Sequence, residues 1–545
     1  MELAIDTETT GLDHFHGCRP FMVTACNGAN NWIWEGQVNP YTREVSWDTD
    51  DLYEMQDLLD EANTLILHNT KFDYRGLSYI GLNCDNFWDK TEDTLIASHA
   101  LCSGESHGLK DLALKYLDFP PDDERQLEAA VKAARTKAKA AGWRIATTGD
   151  PHFPASKGTL FKADYWLAME ECRKYACGDV ERTWLLWQIF KNELISTGLM
   201  KPYRRRIKLL PITYRLEERG MFFHYDKAKA AVEATDIELE IIKDNIVKKT
   251  KYYNRLNLDS TADVGHLLYT HLQLPCTERT PTGKPSAAKD AVNLLIDTHV
   301  TDPNLRLDSD YFDLPNVPDE PIQQALANLH NYNKLRTRQQ YTASYLKWAV
   351  KHPQGYFIHS LLNITGTRNT RQSSASPNQQ NLDLYQKQFF GPPPGYVWLD
   401  IDLVNIELKI WATLTKEPAL MEAFESGKSV HLMIAEALYP DLFLDAFVDF
   451  ANEYPELYRK IKGGNFAAIY GATERKIDQT YGVKGGWQKV LTMFPGIRKF
   501  TEDCIKEVSR NQDIWQQPCI KTVGGYRLTV PPDEAFKAVN YKIQG

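Results

Sequence analysis

Nine cysteines are scattered through 545 residues and no two form a Cys-x-x-Cys pair. That spacing argues against a zinc site and leaves reduced, mostly structural thiols. Long apolar runs are lacking too: none approaches the roughly 18 residues of a membrane span. The amino end, Met-Glu-Leu-Ala-Ile-Asp, begins a strand rather than a signal peptide, so the expected compartment is the cytoplasm, with no membrane partner. Positive charge is also scarce, the formal net charge being −9. The deficit is local, however. Residues 1–100 carry 5 Lys/Arg against 18 Asp/Glu, whereas residues 451–545 carry 15 against 10. A basic carboxyl-terminal region fits phosphate contacts; the acidic end calls for another explanation. With 43% hydrophobic and 25% charged residues the composition is globular, and the length implies three or four domains.

The acidic end is patterned. Residues 3–8, Leu-Ala-Ile-Asp-Thr-Glu, form an apolar strand in which period-two geometry points Asp6 and Glu8 to one face. Two carboxylates side by side are costly unless a cation sits between them. A second strand, Leu65-Ile66-Leu67, leads into His68-Asn69-Thr70-Lys71-Phe72-Asp73, and Tyr175-Ala176-Cys177-Gly178-Asp179 opens a helix running toward Trp187. In this order the three segments resemble the Asp-x-Glu, Asn-x-x-Phe-Asp and Tyr-x-x-x-Asp motifs of the proofreading 3′-5′ exonuclease domain. The resemblance implies that Asp6, Glu8, Asp73 and Asp179 hold two divalent metals and that Tyr175 orients the attacking water. Two cations about 4 Å apart would activate that water and stabilise the leaving 3′-oxygen. His107-Gly108-Leu109-Lys110-Asp111-Leu112-Ala113 resembles the helix start common in this domain. The Ala/Lys/Arg-rich run at 129–144 reads as a solvated helix, with Lys132, Arg135, Lys137 and Lys139 as alternative DNA contacts, and Gly149, Pro151 and Pro154 mark a loop after it.

Farther on, apolar and β-branched residues 397–401 read as a buried strand, and Ile406, Ile410 and Trp411 then repeat at helical spacing. Asp402 stands at the join and Glu407 one turn later. The plain reading of Asp402 is a strand-end carboxylate satisfied by backbone donors. Yet Asp402-Leu403-Val404-Asn405-Ile406-Glu407-Leu408-Lys409 resembles the first palm motif of family A (DNA polymerase I type) DNA polymerases. In that family the Asp binds both catalytic magnesium ions and the Glu closes the sugar pocket against a 2′-hydroxyl. Thr365-Gly366-Thr367, Arg368, Arg371 and the stretch 373–381 resemble the motif that holds the primer-template, which implies DNA contacts by Arg371, Asn378, Gln380 and Asn381.

Lys462, Phe466 and Tyr470 fall at i, i+4 and i+8, on one helix face. By resemblance to the fingers motif, Lys462 contacts the incoming triphosphate, Phe466 stacks on its sugar and base, and Tyr470 guards the templating position. His431 resembles the fingers histidine that meets the triphosphate. The family's usual Arg four residues before the Lys is Tyr458 here, with Arg459 and Lys460 offset. Asn540 and Gln544 match residues that touch template and primer, whereas Phe536 replaces an Arg. No His-Asp-Glu, the family's second palm motif, occurs in the sequence.

The resemblance implies a multidomain α/β and α+β chain: an RNase H-like exonuclease domain at 1–200 followed by a right-hand polymerase. The thumb would span 201–354, the first part of the palm 355–412 and the fingers 413–545, ending before the palm returns. The function implied is that of a bacteriophage-like replicative polymerase with proofreading, acting in the host cytoplasm. It would use two Mg2+ per active site, with Mn2+ as a substitute, on primer-template DNA and deoxynucleoside triphosphates. The chain would be a large fragment or subunit whose missing palm hairpin is supplied by a second polypeptide, by the other half of a split-intein pair, or by a C-terminal part removed by truncation. The rival reading is a 3′-5′ exonuclease whose degenerate polymerase half only holds DNA.

Overall fold

A computed structural model describes residues 1–150, 160–252, 255–276, 278–300, 321–443 and 449–545. Pro151 and Pro154 of the expected loop lie outside them, as does 301–320 of the expected thumb. The chain forms two compact units, residues 1–215 with 362–373 and 400–545, and residues 216–361 with 374–399. Among the described residues no helix is long and apolar enough to cross a membrane.

The first unit begins with the expected strand, β1 (Glu2–Thr9), followed by β2 (Pro20–Cys26), β3 (Asn31–Glu35), β4 (Thr64–Leu67) and β5 (Thr91–Asp93). β1 pairs antiparallel with β2 and parallel with β4, giving the RNase H-like order β3-β2-β1-β4-β5. A central strand covered on both faces reads as a continuous apolar run. Leu3 and Ile5 accordingly pack with Trp34, Leu67 and Tyr74, while Ala4 packs with Ile66, Val180 and Trp187 on the other side. Strand alternation makes Asp6 and Glu8 continue the face of Ala4, and Thr7 the face of Leu3 and Ile5. Helices α1 (Thr70–Tyr79), α2 (Leu109–Leu117), α3 (Asp122–Ala140) and α4 (Met169–Ser196) follow. α4 packs on β1, so its polar positions meet the acids of the strand.

The second unit holds β6 (Met221–Phe223), α5 (Tyr225–Thr250), α6 (Pro321–Trp348), β7 (Ala349–His352) and β8 (Gly355–Ile358), with antiparallel order β6-β8-β7. Leu239, Ile242 and Ile246 of α5 bury against Leu326, Leu329 and Leu335 of α6. Gly220 turns the chain into β6 at φ +63°, where a Cβ would come within 2.8 Å of His359 Nδ1, so both backbone and space require glycine. Asp226 sits in the first turn of α5, where the positive helix end favours it.

The first unit resumes with α7 (Ile406–Thr415), α8 (Val430–Leu438), α9 (Pro455–Ile469), α10 (Gly496–Arg510), β9 (Cys519–Lys521), β10 (Arg527–Thr529) and α11 (Ala538–Gln544). Leu408, Trp411, Ile434, Ile461, Ile497 and Ile543 share one core there. The expected helix after Asp402 forms, but the buried strand before it does not. Val397, Leu399 and Ile401 are 83%, 83% and 84% exposed. A strand needs a neighbour for its backbone donors and acceptors, and no described strand pairs with this stretch.

Candidate active sites

Carboxylate oxygens of Asp6 and Glu8 on β1 and of Asp179 on α4 lie within 4.8 Å of one another. Asp73 approaches from α1. Its Oδ1 accepts a 2.7 Å hydrogen bond from Thr7 Oγ1, while its Oδ2 is buried without a hydrogen-bond partner. Burial, then the Asp179 charge, pushes Asp6 up to about 7. Burial and then Asp6 hold both Glu8 and Asp73 well above the usual carboxylate range. Acids crowded until they resist ionising, one with an orphaned acceptor, form a donor set of hard oxygens that fits divalent cations. Tyr175 lies one helical turn before Asp179, nearly buried, with its ring centroid 5.4 Å from that of Tyr165. Burial and then Asp179 raise its phenol further, so the hydroxyl keeps its proton.

Two cations border this pocket. Lys110, second residue of α2, ion-pairs with Asp179, and fully buried Arg182 donates to Asp179 Oδ1 at 3.0 Å and to Asp123 Oδ2 at 2.7 Å. None of Lys110, Asp123 and Arg182 stood among the sequence-based candidates for this site. Arg182 had a signal, since it stands at i+3 from Asp179 on one helix; Lys110 had only its place in the helix-start motif.

A second polar cluster gathers on Glu407 in the first turn of α7. It accepts from Arg371 in an ion pair, from the Tyr470 hydroxyl at 3.0 Å and from Gln544 Nε2 at 3.0 Å, and Gln544 in turn accepts from Asn369 Nδ2 at 2.7 Å. Arg371, Tyr470, Asn540 and Gln544 help line an adjoining cavity of about 610 Å³, and Asn540 Oδ1 is buried without a partner. Residues far apart in sequence thus share one pocket.

Along α9, Phe466 stacks on Tyr470 at 6.2 Å between centroids, and Lys462 Nζ stands 5.0 Å over the Tyr458 ring. His431 is buried; its Nδ1 accepts from Asn465 Nδ2 at 2.7 Å. Burial and then Lys462 lower its pKa to about 4, so the ring is neutral at physiological pH. Arg459 is taken up by Glu456 on the surface at 2.9 Å. Asp402 is exposed and belongs to no acidic metal cluster among the described residues. Asn378, Gln380 and Asn381 are exposed in the second unit, where Asn378 Oδ1 accepts from the Gln380 backbone at 2.9 Å.

Fold and sites together define an RNase H-like nuclease module joined to a larger, mainly helical region with its own polar pocket. Residues 1–195 match the 3′-5′ exonuclease family and residues 226–545 match DNA polymerase family A. The chain therefore belongs to DNA polymerase family A, with an exonuclease domain ahead of the polymerase domain. It is 24% identical over 501 residues to DNA polymerase I of Rhizobium leguminosarum, covering 88% of this chain and 42% of the relative. To the DNA polymerase of Mycobacterium phage L5 it is 22% identical, covering 99% of this chain and 80% of the relative. The chain spans less than half the length of the bacterial relatives from Rhizobium, Treponema and Pseudomonas. In fold it is similar to the structure described as the POL domain of Pol1 from M. smegmatis in complex with DNA primer-template and dNTP. The TM-score is 0.68 at 17% identity, covering 100% of this chain and 82% of that one.

Proposed function

We propose that this chain is a DNA-directed DNA polymerase of the bacteriophage replicative type with its own 3′-5′ proofreading exonuclease, working in the host cytoplasm. The observation that carries the nuclease is the convergence of Asp6, Glu8 and Asp179 with Asp73 beside them. These four would hold two Mg2+, or Mn2+ in its place, which supply the charge that activates a water and stabilises the leaving 3′-oxygen. Thr7 fixes Asp73 Oδ1 and leaves Oδ2 for a cation. Tyr175, kept protonated, orients the water as a hydrogen-bond donor.

In the polymerase half Glu407 closes the sugar pocket against a 2′-hydroxyl, held by Arg371, Tyr470 and Gln544. Lys462 and His431 meet the triphosphate of an incoming deoxynucleotide, Phe466 stacks on its sugar and base, and Tyr470 guards the templating position. Arg371, Asn378, Gln380, Asn381, Asn540 and Gln544 grip primer-template DNA without reading its sequence. Asp402 is one ligand of the polymerase metals. Because it joins no group of three or more metal-ligating residues among the described residues and follows an exposed apolar run, we assign the second carboxylate to a palm segment carrying a His-Asp-Glu hairpin, on a second polypeptide or on a continuation of this chain. The same observation favours the alternative, an exonuclease whose polymerase half only holds DNA.

One assay separates these readings: labelled primer-template with Mg2+ and deoxynucleotides, with and without a fragment carrying a His-Asp-Glu hairpin. Trimming by this chain alone is expected, with extension only when the fragment is added. Trimming with no extension under either condition selects the alternative. Extension by residues 1–545 alone rules out the second polypeptide, and failure to trim rules out the nuclease.

A further inference from the structure

The acidic pocket already contains an ammonium group. Lys110 ion-pairs with Asp179, lies 3.8 Å from Asp123 and stands 4.1 Å from the centroid of the Tyr175 ring. Its side chain is 16% exposed and that of Asp179 is 8% exposed. This is unlike the solvated pair Lys174–Glu170, at 68% and 76%, whose attraction water largely screens. Lys110 enters on the first turn of α2, so its backbone is fixed while its four-carbon stem stays free to swing.

The other cation at Asp179 has no such freedom. Arg182 is fully buried and held at once by Asp179, Asp123 and the Pro120 carbonyl, and a side chain on Gly178 would collide with its guanidinium. Asp179 is therefore shared between one fixed cation and one movable cation. A divalent ion taking Asp179 as a ligand repels both, and only Lys110 can yield, with Asp123 within reach as its next acceptor.

On the exonuclease reading, we propose that Lys110 is an exchangeable counter-ion, which neutralises the Asp6–Glu8–Asp179 pocket while it is empty and moves to Asp123 as a divalent metal enters. Metal binding is then a cation exchange. Lys110 sets how much free metal the nuclease needs, a positioning role distinct from that of the metal ligands. It also offsets the mutual repulsion of Asp6 and Glu8, both of which feel its charge.

The experiment is Mn2+ titration of the whole chain by calorimetry, comparing wild type with Lys110→Met, Lys110→Gln and Lys110→Arg at one pH and ionic strength, with melting curves for each. Loss of the charge should tighten Mn2+ binding at least tenfold in both neutral variants. It should also lower the melting temperature of the metal-free protein and enlarge the rise caused by Mn2+. Lys110→Arg should stay near wild type. A merely structural lysine predicts the opposite, since its loss would loosen the pocket and weaken binding, so equal or weaker Mn2+ affinity in Lys110→Met and Lys110→Gln overturns the proposal. Should Lys110→Met fail to melt cooperatively, Lys110→Gln is read in its place. If wild type neither binds Mn2+ nor trims 3′ ends, the exonuclease reading falls, and the Lys110 proposal with it. Normal wild-type trimming with unchanged variant affinity removes the Lys110 proposal alone.

Discussion

The two groups of acids in the first unit are treated differently by their surroundings. Asp6, Glu8 and Asp73 crowd together, and none of the three has donors sufficient to offset burial, so their protons are held tightly. Glu407 is also partly buried, yet an arginine, a phenol and an amide converge on it. The first arrangement has excess negative charge without a matching donor set, as a cation site requires. The second is a carboxylate used as a fixed acceptor that shapes a pocket. Asp402 belongs to neither pattern, being exposed and part of no group of three or more metal-ligating residues among the described residues. What distinguishes the roles is thus the neighbours of a carboxylate, since residue type is the same in all three cases.

The sharpest way to break this contrast is to remove the excess charge. Changing Asp6 and Glu8 together to Ala should lower Mg2+-dependent 3′ trimming by at least ~10³-fold if, as proposed, they are ligands of the metal pair. DNA binding, measured by gel shift, should persist, since the proposed DNA contacts Arg371, Asn540 and Gln544 line the other pocket. A smaller effect is expected at Glu407. In a reconstituted polymerase, Glu407→Ala should raise ribonucleotide use by about ten- to a hundredfold, the range a single pocket contact discriminates. Phe466→Tyr should ease dideoxynucleotide use, because the added hydroxyl can replace the missing 3′-hydroxyl as a partner. Unchanged selectivity in both variants would remove the assigned sugar pocket.

The pH dependence of the metal-free protein sharpens the same contrast. Asp6 has an ordinary value of 3.8 and rises to about 7 in the fold. A raised folded-state value means the protonated form is favoured by folding, so this contribution is complete below about pH 4 and lost as pH climbs through about 7. Glu8 and Asp73 shift in the same direction. Scanning calorimetry in EDTA should therefore show a melting temperature that falls between pH 4 and 7 more steeply in wild type than in Asp6→Asn. Added Mg2+ should reverse the fall, since its affinity grows as the carboxylates lose their protons.

How much of this could be read from the sequence depended on the distance over which each relation acts. The pairing of Asp6 with Glu8 follows from strand alternation and was legible. So was the placement of Tyr175 one turn before Asp179, because both relations are local. Lys110 meets Asp179 across 69 residues, and no local pattern announces that contact. The resemblance named Arg371, Glu407, Tyr470 and Gln544 as functional residues, but that they converge on one carboxylate is a tertiary fact. Residues 397–401 misled for a different reason. Apolar, β-branched composition describes how side chains fit a sheet, whereas a strand forms only where a second strand accepts its backbone hydrogen bonds.

That misreading supplies the last and smallest expected effect, on two isoleucines in segments of similar composition. Ile5 lies in β1 at 1% exposure, and Ile401 lies in the unpaired stretch at 84%. Truncating Ile5 to Ala removes buried methyl groups and leaves a cavity, with a cost of about 2–5 kcal/mol in urea unfolding. Truncating Ile401 removes groups already in water, so its cost should stay within about 0.5 kcal/mol. If a fragment carrying the His-Asp-Glu hairpin packs on residues 397–401, the same Ile401→Ala change should become measurable in its presence, as weaker association and slower primer extension. A cost above about 2 kcal/mol for Ile401→Ala in the isolated chain would mean that the stretch is already packed, as in the core substitutions that define that range. The contrast between the two apolar segments would then fail.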